Sequence, residues 1–249
     1  MDSALAESWI FAPKPVLRPR VRLFCLPHAG GSATAYHAWP AELPDDVEMA
    51  AVQLPGRTYR IKESPFTRMD PLIDALIGAL EPYLDRPFVV FGHSLGALTA
   101  FETVRRLRSK GGPSPVHLVV SGRCAPHVPN KQPEIHRAPD GEFLQAMHRL
   151  FGMPMDLLND SGLMKLSMPA LRADFELMET WRYRPEAPLE MPITAIGGCS
   201  DPTLPYSGLQ AWREQTAAPF ESYWLPGTHF YFSERRKSML ALLAEIVGR

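Results

Sequence analysis

Six short stretches of the chain are rich in apolar, β-branched or aromatic residues: VRLFCL (21–26), VEMAAVQL (47–54), PFVVFG (87–92), VHLVVSG (116–122), MPITAIGG (191–198) and FESYWL (220–225). Nearly continuous apolar character over so few residues predicts strands buried on both faces. Between them, apolar positions recur at helical spacing in 71–84, 95–110, 206–216 and 232–247. Strand alternating with helix predicts βαβ units, a mainly parallel sheet and right-handed crossovers, an α/β fold class. The alternation stops between about 124 and 188. There EFLQAMHRLFG puts Phe143, Met147, Leu150 and Phe151 on one face, and LRADFELMETW does the same with Leu171, Phe175 and Met178. A helical block interrupting an α/β pattern predicts an inserted lid over the carboxyl edge of the sheet, where ligands of such folds bind.

The 249 residues are 45% hydrophobic and 21% charged, and no Gly/Ser-rich linker divides them, so a single domain spanning 1–249 is expected. A formal net charge of -1 with scattered Lys and Arg speaks against a nucleic-acid partner. Neither a signal-like start nor an apolar run near the roughly 18 residues of a membrane span is present, which predicts a cytoplasmic protein with no membrane partner. Cys25, Cys124 and Cys199 form no CxxC pair and are expected as reduced thiols. The histidines have no metal-ligand spacing, so no metal is expected.

The pentapeptide Gly92-His93-Ser94-Leu95-Gly96 matches GxSxG and lies directly between a predicted strand and an amphipathic helix. On that turn the flanking glycines let strand and helix approach closely, and the serine hydroxyl projects from the sheet edge beside a helix N-terminus. Ser94 is therefore the candidate nucleophile. His93 is expected to point away from it and to serve packing or hydrogen bonding. A serine needs a base, and the base an acidic orienter. In the order serine, acid, histidine of α/β-hydrolases, Asp201 follows the strand ending GGCS and His229 follows the strand ending YWLPGT. Asp140, Asp174, His28, His127, His136 and His148 fit that order less well. Oxyanion donors are expected from the backbone N–H groups of Leu95 and of Ala29, the latter in the loop LPHAGGSA.

Taken together, LFCLPHAGGSA, VQLPGR, GHSLGA, LSMPALRADFELMETWRY, PITAIGGCSDP and PGTHFYF are more specific than GxSxG alone. In that order they resemble the type II (external, editing) thioesterases of polyketide synthase and nonribosomal peptide synthetase systems. The resemblance implies an α/β-hydrolase fold with a helical lid and no metal or organic cofactor. It further implies hydrolysis of acyl groups from the phosphopantetheine arm of an acyl or peptidyl carrier protein. It assigns Ser94, His229 and Asp201 as nucleophile, base and orienter, with Ala29 and Leu95 as oxyanion donors. Two departures are local: Leu95 stands where the family often has Met, and FGMP where a double glycine is common.

The lid methionines Met147, Met153, Met155, Met164, Met168 and Met178 are candidates for core filling or for a deformable acyl chamber, with Met147, Met153 and Met155 first among the substrate-binding candidates. Arg57, Arg60, Lys62, Arg68 and Arg123 are candidates for a basic rim facing an acidic carrier. The chain is expected to act as a monomer. Residue chemistry by itself leaves open a small-ester hydrolase, an acyltransferase or a non-catalytic receptor on the same scaffold.

Overall fold

The computed structural model describes residues 8–129 and 132–248. Among these residues, seven strands form one sheet: β1 (Ile10–Phe11), β2 (Val21–Leu26), β3 (Val47–Val52), β4 (Phe88–His93), β5 (His117–Ser121), β6 (Ile193–Gly198) and β7 (Phe220–Leu225). They are ordered β1-β3-β2-β4-β5-β6-β7. β1 pairs antiparallel with β3, and every other pair is parallel. The six apolar stretches are β2 to β7. β1 is an addition, since two residues show no alternation and Pro13 and Pro15 follow closely.

The helices are α1 (Met69–Leu80), α2 (Leu95–Ser109), α3 (Asp140–Phe151), α4 (Met155–Asn159), α5 (Ser161–Thr180), α6 (Tyr206–Gln210), α7 (Tyr231–Glu234) and α8 (Arg236–Gly248). Two expected helices are divided. The one at 206–216 tightens to a 3-10 turn over Ala211–Gln215, and the last is broken at Arg235, whose φ of -117° and ψ of 36° are not helical.

Alternate residues of each strand feed opposite cores, the period-2 consequence of the pleat. Phe24, Leu26, Val90, Leu118 and Ala195 pack beneath α1 and α2. Leu23, Cys25, Val89, Phe91 and Val119 pack on the other face against Tyr36, Trp39 and α8. A third apolar cluster joins α3, α4 and α5 through Phe143, Met147, Leu158, Leu171 and Phe175, and Ala29 of the loop after β2 packs against it. In α5, Asp160 caps the N-terminus by accepting from Leu163 N–H at 2.9 Å, and Pro169 interrupts the hydrogen-bond ladder midway.

The parallel register pairs Leu26 with Gly92, His93 with Ser121 and Gly198 with Leu225. Chain segments leaving β2, β4, β5, β6 and β7 therefore emerge along one edge, where the candidate residues lie. Among the described residues no helix is long and apolar enough to cross a membrane.

Candidate active site

Ser94 sits between β4 and α2 with φ 57° and ψ -111°, one of two non-glycine residues at positive φ among those described. A side chain in this region of backbone space is strained. Two features maintain it. Ser94 N–H donates to the Ser121 carbonyl at 2.8 Å, and the glycines on either side allow contacts that no Cβ would fit. A Cβ on Gly92 would lie 2.0 Å from the Gly96 carbonyl oxygen, and one on Gly96 would lie 2.1 Å from the Leu26 carbonyl oxygen.

Asp201 and His229 meet as the sequence order anticipates: His229 Nδ1 and Asp201 Oδ2 are 2.6 Å apart, with both side chains buried. An ionised carboxylate only accepts, so Nδ1 carries the proton of this bond, and Nε2 is the nitrogen left to act as a base. Burial alone would push Asp201 upward. Hydrogen bonds from His229 and Thr203 outweigh it and hold the carboxyl below its ordinary range. Thr203 supplies two of these bonds, its N–H at 2.9 Å and its Oγ at 2.7 Å, both to Asp201 Oδ1. Sequence reading missed Thr203, although Asp-x-Thr is a turn in which the acidic side chain accepts from the backbone two residues on.

Ser94, His229 and Ala29 line one pocket of about 280 Å³, including the part open to solvent. Met147 and Met153 line it too, but Met155 does not. Met155 opens the short helix α4 and is 43% exposed, while Leu158, three residues on, takes the buried face. His28, Phe151, Leu171, Phe175 and Phe230 complete the lining. The helical spacing that put Phe151, Leu171 and Phe175 on apolar faces could have identified them as wall residues. His28 donates from Nδ1 to the Ala29 carbonyl at 2.9 Å. Burial, opposed by that bond and aided by nearby His229, lowers its pKa to about 4, so it is uncharged at neutral pH.

The Ala29 and Leu95 N–H groups donate to no acceptor among the described residues. Leu95 is the first residue of α2, so its amide belongs to the unpaired set at a helix start. His93 is buried behind the turn, with Nδ1 2.8 Å from Ser121 Oγ, and Ser121 is in turn bonded to Tyr231. Its partner is therefore Ser121. Burial first, then His229 and His28, push its pKa well below the ordinary value.

The expected basic rim is only partly present. Arg57 and Arg60 are 6% and 5% exposed. Arg57 pairs with Asp174, while Arg60 pairs with Glu63 and lies over the Trp9 ring. Long side chains in a loop between strands gave no sequence signal of which would turn inward. Lys62 and Arg68 are exposed, and Arg68 pairs with Glu176. Arg123 is half-buried beside Met178, with burial lowering its pKa to about 10.

A family model described as "Thioesterase domain" matches residues 21–247. The chain is 39% identical over 226 residues to the gramicidin S biosynthesis protein GrsT of Aneurinibacillus migulanus, covering 91% of this chain and 88% of that protein. It is 39% identical over 237 residues to the thioesterase PikA5 of Streptomyces venezuelae, covering 94% and 83%. The structure of the type II thioesterase BorB from the borrelidin biosynthetic cluster superposes with a TM-score of 0.88 at 38% identity, covering 96% of this chain and 97% of that one.

Proposed function

The chain belongs to the thioesterase family, and from that premise we propose that it hydrolyses acyl groups held as thioesters on the phosphopantetheine arm of acyl or peptidyl carrier proteins. In this reading it clears stalled or aberrant units during polyketide or nonribosomal peptide assembly, acting as a cytoplasmic monomer built as one domain with a helical lid over about 124–188. The observation that carries it is the 2.6 Å bond between His229 and Asp201, with His229 and Ser94 lining the same methionine-walled pocket.

The cycle follows from these residues. Ser94 Oγ attacks the thioester carbonyl as His229 Nε2 takes its proton, and Asp201 stabilises the imidazolium that forms. The Ala29 and Leu95 amides receive the oxyanion. The sulfur departs and takes the proton from His229, aided by a thiol pKa near 8.5 that makes it a better leaving group than an alkoxide. Water, deprotonated by His229, then attacks the acyl-Ser94 ester; as the acyl–Oγ bond breaks, His229 returns the proton to Ser94 Oγ and the free acid is released. Neutral His28 and the Met and Phe side chains leave the pocket mostly apolar.

Turnover of a panel of acylated carrier proteins tests the reading. The native protein is expected to release free acid and the carrier thiol. Ser94→Ala should lose roughly 10⁶-fold in kcat, the order found when a triad nucleophile is removed. Undiminished turnover by Ser94→Ala, or transfer of the acyl group to another acceptor in place of hydrolysis, would refute it.

A further inference from the structure

The loop that carries Ala29 is gripped by two charged side chains that the hydrolytic cycle does not use. Gly30 N–H donates to Asp174 Oδ2 at 2.7 Å. That same oxygen accepts from Arg57 Nη1 at 2.7 Å, and Arg57 Nη2 reaches Asp174 Oδ1 at 2.8 Å. Arg57 Nη1 also donates to the Gly31 carbonyl at 3.2 Å. Three separate parts of the chain meet here: the loop after β2, the loop after β3, and α5. A second contact joins the first and last of these, because Leu171, one turn before Asp174, fills the space a side chain on Gly30 would need. A Cβ on Gly30 would lie 2.7 Å from Leu171 Cδ1.

Stability alone is a poor explanation for this pair. Arg57 is 6% and Asp174 2% exposed, and ions so buried lose about as much hydration as they regain by attraction. What a two-pronged guanidinium–carboxylate contact does supply is a fixed distance and angle. Asp174 Oδ2 is shared between the guanidinium and a loop amide, so the loop takes its position from α5. Gly31 N–H is likewise held, by the His28 carbonyl at 2.9 Å. The amides of Gly30 and Gly31 are both occupied, whereas that of Ala29, on the pocket wall with Ser94, donates to no acceptor among the described residues. Leu171 and Phe175 of α5 line the same pocket.

We propose that Arg57 and Asp174 are positioning residues that lock the Ala29 amide to helix α5, so that the second oxyanion donor is set only when this wall of the acyl pocket is seated. The inference rests on the assignment of Ser94 and Ala29 given above. It ties recognition of the acyl chain by Leu171 and Phe175 to the geometry that stabilises the oxyanion.

The test uses the full chain with Arg57→Met/Asp174→Leu, which strands no buried charge, and with Asp174→Asn and Arg57→Lys in case the double variant does not fold. Active sites are titrated to completion with a labelled fluorophosphonate, and kcat is expressed per labelled Ser94. For the double variant we expect kcat per site to fall roughly 30- to 100-fold, the loss that follows a displacement near 1 Å, with KM for a small acyl thioester changed less than about threefold. Affinity for an acyl trifluoromethyl ketone, which becomes an oxyanion on addition to serine, should fall by a similar factor. Arg57→Lys, which keeps the charge but not the fork, and Asp174→Asn, which keeps an acceptor but not the charge, should fall between native and double variant. A purely structural pair would alter the fraction of labelled protein or its melting temperature and leave kcat per site within about threefold of native; that result overturns the proposal. If Ser94→Ala keeps its turnover or the label misses Ser94, the underlying assignment fails instead, and the clamp with it.

Discussion

Replacing Gly96 with alanine is expected to damage the reaction site without altering any side chain that takes part in the reaction. The added Cβ would lie 2.1 Å from the Leu26 carbonyl oxygen, 2.7 Å from the Leu26 carbonyl carbon and 2.9 Å from the Pro27 carbonyl oxygen. All three are backbone atoms, so no rotamer change relieves the overlap. Widening 2.1 Å to an ordinary contact of 3.4 Å requires the start of α2 and the end of β2 to part by about 1.3 Å. Those two segments lead to Leu95 and Ala29, so the proposed oxyanion donors would separate by a similar amount. A misplacement near 1 Å costs about 100-fold in rate, or about 2.7 kcal/mol of transition-state stabilisation. Overpacking should also lower folding stability by about 1–3 kcal/mol. The assay is kcat per titrated active site on a short acyl thioester, alongside urea unfolding. Gly141→Ala serves as control, since a Cβ there meets nothing within 4 Å, and it is expected to be neutral or stabilising by up to about 1 kcal/mol. Should Gly96→Ala keep kcat within about threefold of native with an unchanged unfolding midpoint, close backbone approach is not what sets the donors.

Two further outcomes follow from the pocket. With a folded-state pKa of about 4 against 6.5, His28 leaves the unfolded chain binding the extra proton as pH falls from 6.5 to 4. Stability should therefore drop over that window, by up to about 1.4 kcal/mol per pH unit from this one group. Urea unfolding of His28→Asn should show a shallower decline, with His93 keeping part of it because its shift has the same direction; an unchanged slope would reject the assignment. Shortening the flexible wall by Met147→Val with Met153→Val should narrow chain-length tolerance. The kcat/KM ratio between the best and the poorest acyl thioester should change by about 10-fold, the scale of one to two methylene contacts. An unaltered substrate profile would mean these side chains only fill space.

Legibility in the sequence followed how local each signal is. Strands β2 to β6 were readable because burial on both faces leaves an apolar run, as in LFCL and FVVF; β7, expected to be equally buried, is an edge strand only partly buried along its whole length and was readable from its aromatic residues, and β1 was not readable because two residues carry no period. That Ser94, Asp201 and His229 come to one edge was legible because each lies just after a strand, and parallel register carries strand ends to a common edge. The clamp was invisible for the opposite reason. Arg57 and Asp174 lie 117 positions apart on elements without a shared period, and an arginine in a loop reads as solvated until the fold shows what lies over it. Met155 illustrates the limit of naming wall residues by type alone, since a new helix begins at that residue and turns Leu158 inward instead.

The edge-assembled arrangement also dictates when the molecule becomes competent. Ala29, Ser94, Asp201 and His229 come from the ends of four different strands, the last of them β7. On the proposed assignment, a chain collapsed only around β2, β4 and β5 holds Ser94 without His229 to activate it, so neither a ribosome-bound intermediate nor a proteolytic fragment lacking β7 is expected to deplete the acyl pool. During refolding, regained turnover should thus time the docking of the terminal strand and lag behind the burial of the central tyrosines and tryptophans.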